Sequence, residues 1–116
     1  MDLNLIFLFN VGLGVLILIL GLPMMGGSVK PNRIYGFRTH KTLSNETIWY
    51  SANKYAGKQM AIWGVVMAVV SLVAYLLILS GDKVYTQGVL FTLWAICLFV
   101  PLFLLIVLSL AHLKKY

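Results

Sequence analysis

Three long apolar runs, separated by one long and one short polar interval, organise this sequence. They cover about Leu3 to Met25, Met60 to Leu79 and Val89 to Ala111, and none contains Asp, Glu, Lys or Arg. Crossing the roughly 30 Å hydrocarbon layer takes about 20 helical residues at about 1.5 Å each, so every run is long enough to span. The helix is the backbone state that pairs every amide inside lipid, and the sequence has no alternating barrel pattern. Pro23 and Pro101 fall near run ends, where they bend a helix without breaking it. The pattern predicts an all-α integral membrane protein, a single domain over 1–116. Its three transmembrane helices leave a cytoplasmic loop with an interfacial helix, about 26–59, between the first and second.

That loop reads in two halves. Gly26-Gly27-Ser28 and Pro31-Asn32 are turn formers and predict a non-helical start. From Ser44 or Asn45, either a competent N-cap, Glu46 to Lys58 can wind into a helix, with Glu46 in the first turn where the macrodipole favours an acid. Ile48, Trp49, Ala52, Tyr55 and Ala56 then share one side. Such a helix is expected to rest in the interface with Trp49 at headgroup depth and Lys54 and Lys58 turned to water or lipid phosphate. The spacing also allows it to run into the second span without a break.

Small residues mark the helix faces that meet. Gly57, Ala61, Gly64, Ala68 and Ser71 recur at steps of four and three, and Asn10, Gly14 and Gly21 form a sparser stripe on the first span. In lipid, such stripes let backbones approach closely and gain van der Waals contact. The two faces are expected to pack together, although contact between copies of a homo-oligomer gives the same pattern. The third span lacks a stripe and is expected to show more of itself to lipid. Asn10 reads as an interhelical hydrogen bond worth on the order of 1 kcal/mol rather than as part of a solute path.

Composition agrees with the pattern: 61% hydrophobic residues, 10% charged residues and a mean hydropathy of +0.95 describe a bilayer solute. The net charge of +6 arises mostly from Lys30, Arg33, Arg38, Lys41, Lys54 and Lys58 against Glu46. This excess places the loop in the cytoplasm. Asp82 and Lys83 cancel in the second connection, and Lys114 and Lys115 put the C-terminus inside, so the N-terminus is expected outside. A cleaved leader is a poor reading of the first run, because Asp2 stands where a basic region should be. The charge reports membrane topology and contact with membrane lipids; a nucleic-acid partner is not expected. Cys97 has no partner, and His40 and His112 lie apart from any carboxylate cluster, so neither metal nor cofactor is expected.

The chemistry-bearing residues cluster in the loop. Trp49, Asn53 and Gly57 are four apart and share one helical stripe, which a plain lipid anchor does not require. Arg38 can grip a phosphate or carboxylate bidentately or serve as one more headgroup contact, and the residues leave both open. The string Pro31-Asn32, Tyr35-Gly36-Phe37-Arg38-Thr39, Thr42-Leu43, Asn45, Trp49, Ala52-Asn53 and Gly57, followed by two hydrophobic helices, resembles the SdpI family of bacterial immunity proteins. The motif spans roughly a quarter of the chain. The resemblance implies a bacterial cytoplasmic-membrane protein that protects its cell from a secreted toxic peptide. It also implies a signalling role in which a cytoplasmic transcriptional repressor is drawn to the membrane. Founding-type members carry additional N-terminal membrane helices, and the sequence here shows only the three-helix, motif-bearing unit.

The expected arrangement is a rigid cytoplasmic cap, with Arg38 and Asn45 as polar contacts and Trp49 and Asn53 docking it on the bundle. No catalysis is expected, since His40 and Glu46 are the only acid–base candidates in the loop and form no recognisable constellation. A small transporter or channel subunit is the competing class, weakened by the absence of charge inside any span.

Overall fold

The computed structural model describes residues 3–81 and 85–116. After a short turn at Leu3–Leu5, α1 runs Ile6–Met25, α2 is one turn at His40–Leu43, α3 runs Glu46–Ser80 and α4 runs Gln87–Leu113. The described residues contain no strand. Helices α1, α3 and α4 are each long and apolar enough to cross a membrane. Asp2, Asp82 and Lys83, which entered the charge argument, lie outside the described residues.

The interfacial helix and the second span are one element. Asn45 caps α3, its Oδ1 accepting from the Thr47 and Ile48 amides at 2.8 and 3.2 Å. The helix then continues through Lys58 and Met60 with no break to Ser80. Its 35 residues measure roughly 52 Å, close to the 55 Å long dimension of the molecule. A bilayer core is only about 30 Å thick, so the Glu46 end rises out of hydrocarbon as a continuation of the span. Of the two arrangements the spacing allows, the unbroken run into the second span is the one formed, and the expectation of a separate interfacial helix is corrected. Residues 46–58 lack the sharp turn that lying flat would need.

Antiparallel packing of α1 on α3 forms the main contact of the bundle. A Cβ on Gly14 would lie 2.8 Å from the Ala68 nitrogen, and one on Gly64 would lie 2.6 Å from the Gly14 oxygen. One pair of turns further along, a Cβ on Gly21 would lie 2.7 Å from the Gly57 oxygen and 3.2 Å from the Ala61 nitrogen. Backbone thus meets backbone at two levels, a separation that side chains larger than hydrogen would prevent.

Helix α4 packs chiefly on α3 and touches α1 little. Asn10 is fully buried and its Nδ2 donates to the Trp94 carbonyl at 3.2 Å. The hydrogen bond from this residue therefore reaches α4, although its stripe neighbours Gly14 and Gly21 face α3. Phe7, Leu90 and Cys97 form a small core beside it, at the end away from the loop. Ser71, the last member of the α3 stripe, is also fully buried. Lipid exposure is not concentrated on α4. Within the most apolar stretch of each helix, 17% of residues are buried in α3 against 22% in α4. Beyond Met67, α3 turns Val69, Leu72, Leu76 and Leu77 outward.

Candidate functional site

The loop folds back onto the first three turns of α3 as an ordered cap, built almost entirely from side chains bonded to backbone. Asn32 opens it. Its Oδ1 accepts from the Ile34 and Tyr35 amides at 2.8 and 2.7 Å, and its Nδ2 donates to the Lys30 carbonyl at 2.7 Å. Such Asx turns supply bonds that an irregular backbone lacks. Pro31 lies exposed in this bend. The Tyr35 hydroxyl then donates to the Leu20 carbonyl of α1. Burial pushes the Tyr35 phenol above its ordinary value.

Asn53 is the staple of the cap. From α3 its Oδ1 accepts from the Phe37 amide at 2.7 Å, while its Nδ2 donates to the Phe37 carbonyl at 3.2 Å and the Trp49 carbonyl at 2.9 Å. One turn earlier the Trp49 indole donates to the Val29 carbonyl at 2.9 Å. Trp49 is wholly buried: the loop covers the ring and supplies its acceptor. Gly36 passes directly over this pair. Its φ of +125° suits glycine. An added Cβ would lie 2.8 Å from Asn53 Oδ1 and 3.0 Å from the Trp49 ring.

Past Phe37 the chain enters α2. Thr39 Oγ1 accepts from the Thr42 amide at 3.1 Å, and Thr42 Oγ1 accepts from the Thr39 amide at 2.8 Å while lying 3.0 Å from the Phe37 carbonyl it donates to. This is a capping box with threonine at both ends. The Thr39-x-x-Thr42 spacing carries that signal, and it breaks the otherwise non-helical first half of the loop. Thr42 is fully buried. Asn45, expected as an N-cap and as a polar contact, has its oxygen engaged in capping α3.

Among the motif side chains with a polar group, Arg38 stands apart. It is exposed, and among the described residues it makes no hydrogen bond or ion pair. Yet its backbone is held on both sides, by Asn53 through Phe37 and by the Thr39–Thr42 box. A pinned backbone thus presents an unpartnered guanidinium, a group able to bind an anion bidentately, at the surface of the cap.

The C-terminus completes this end of the molecule through contacts the sequence pattern did not indicate. His112 stacks on Tyr55 with centroids 3.9 Å apart and planes 5° apart. Tyr116 hydroxyl lies 3.1 Å from His112 Nε2 and is also hydrogen-bonded to Ser51. These contacts bring Lys114 and Lys115 to the same end as the loop's six basic residues. Tyr55 and His112 lie in different spans, so no local spacing marks the pair.

Fold and site together define a multi-pass helical membrane protein with a hydrogen-bonded basic cap at one end. Residues 28–111 match the SdpI/YfhL protein family, and the chain belongs to that family. It is 31% identical over 70 residues to the Immunity protein SdpI of Bacillus subtilis (strain 168), an overlap covering 60% of this chain and 33% of that protein. It is 38% identical over 37 residues to the Uncharacterized protein YfhL of the same organism, covering 32% of this chain and 34% of YfhL. The chain thus matches about a third of the length of each of these curated relatives. No solved structure matches it.

Proposed function

We propose that this chain is an immunity protein of the bacterial cytoplasmic membrane that protects its cell from a secreted toxic peptide. The cap faces the cytoplasm and the N-terminus faces outward. The observation that carries this reading is the shared motif itself, in which the polar side chains build one rigid cap and leave Arg38 free at its surface. Eight Lys and Arg residues, from Lys30 to Lys115, gather at that end, the distribution expected of a cytoplasmic face. Kinship with a protein named for immunity supplies the biological direction.

In this reading the toxic peptide is met within the bilayer or at its outer face, and the cap relays occupancy to a cytoplasmic repressor. Such a relay requires the peptide to bind two arrangements of the helices with different affinities. The test is survival of a sensitive bacterium expressing the protein, challenged with secreted toxic peptides of this class and with unrelated membrane-active peptides. Arg38→Ala and Arg38→Lys are compared at matched membrane levels. Selective protection that is lost in Arg38→Ala is the expected result. Failure to protect against any peptide, with the protein correctly inserted, overturns the proposal.

A further inference from the structure

Because α4 touches α1 so little, a lateral groove of about 430 Å³ remains between them. Its walls are apolar, contributed by Ile17 and Leu20 of α1 and by Leu102, Leu105 and Ile106 of α4, and the segment Ile34–Phe37 closes its basic end. Ser109 also lines it. That residue is 4% exposed, and its hydroxyl has no hydrogen-bond partner among the described residues. A buried hydroxyl left unpaired in an apolar wall costs about 1–3 kcal/mol, so a ligand oxygen at this point is favoured.

Two further observations define the occupant. Ile34, at the groove's basic end, is 92% exposed, which suits a side chain immersed in lipid rather than water. Arg33 and Arg38 flank the closing segment; both are exposed and neither has a partner among the described residues. Depth is consistent as well. Ser109 lies four residues, roughly 6 Å, inside the end of α4, and the interfacial layer of a bilayer leaflet is about 5–7 Å deep.

We propose that this groove holds an acyl chain of an anionic phospholipid, with an ester carbonyl accepting from Ser109 and the phosphate drawn to Arg33 and Arg38. A helical peptide is the poorer occupant. The carbonyls of a helix are already bonded within it, whereas a lipid offers an ester oxygen to the Ser109 hydroxyl and a phosphate to Arg33 and Arg38. The site holds lipid whether or not the protein confers immunity.

The test uses the full-length protein reconstituted in bilayers containing a trace of phosphatidylglycerol with a photoactivatable acyl chain, or the matched phosphatidylcholine probe. Labelled residues are mapped by mass spectrometry. With the phosphatidylglycerol probe, labelling at Leu105 and Ile106 is expected to exceed that at the lipid-facing Phe99 by at least about fivefold. Ile106→Trp, which fills the groove, and Ser109→Val, which removes the hydroxyl, reduce labelling there but leave Phe99 unchanged. The surface pair Arg33→Gln and Arg38→Gln, which leaves the packed fold untouched, removes the preference for phosphatidylglycerol over phosphatidylcholine. Uniform labelling of all lipid-facing positions, or equal labelling by both headgroups, overturns the proposal. So does groove labelling by a photoactivatable toxic peptide when neither lipid probe labels the groove in its absence. Survival after toxin challenge is read separately, so failure of the lipid site and failure of the immunity reading are distinct results.

Discussion

Asn53 ties the loop to α3, because one carboxamide bonds both the N–H and the C=O of Phe37. Asn53→Ala leaves the Phe37 N–H unpaired, while the Phe37 carbonyl keeps its bond from the Thr42 hydroxyl, at a cost of about 1–3 kcal/mol. Gly36→Ala at φ +125° costs a comparable amount, about 1–3 kcal/mol, through backbone strain and collision with the staple. Local opening of the loop is expected to rise accordingly. Limited trypsinolysis after Arg33, Arg38 and Lys41 should accelerate roughly 30-fold for a 2 kcal/mol loss, while the spans stay intact. An unchanged cleavage rate in both variants would show that the loop is held by something other than this staple.

At the scale of the helices, the α1–α3 contact rests on backbone touching backbone at Gly14 and Gly64. Gly64→Leu forces the pair apart, and cysteines placed at neighbouring positions across that interface should lose most of their oxidative cross-linking. The same change at Gly12, where an added Cβ meets nothing within 4 Å, should leave cross-linking intact. Much of this level is legible in sequence. The three apolar runs mark the spans, and the step of four and three from Gly57 to Ala68 marks the face, because hydropathy and helical period are local properties. The fate of residues 46–58 is less legible: an amphipathic stretch can lie on a membrane or continue a span, and here the loop covers Trp49 and decides between them. The choice of acceptors is least legible. Val29, Phe37 and Leu20 contribute only carbonyls or amides, which every residue possesses, so no residue type announces that Trp49, Asn53 and Tyr35 will find them.

For the molecule as a whole, the loop and the C-terminus meet at one end through Tyr55, His112, Ser51 and Tyr116. Cysteines at Lys41 and Lys114 should therefore react with a membrane-impermeant thiol reagent from one side only, and a cysteine at Tyr85 from the other, in a Cys97→Ala background. Labelling of Lys41 and Lys114 positions from inside the cell confirms the proposed orientation; labelling from outside reverses it.

The unbroken length of α3 has a mechanical corollary. Glu46 lies 18 residues from Gly64, roughly 27 Å along the axis, so a tilt of about 5° pivoting on the glycine contact swings the helix start sideways by about 2 Å. Trp49 and Asn53 fasten the loop to that same arm. A small rotation of α3 in the middle of the bilayer would thus carry Arg38 sideways by a comparable distance.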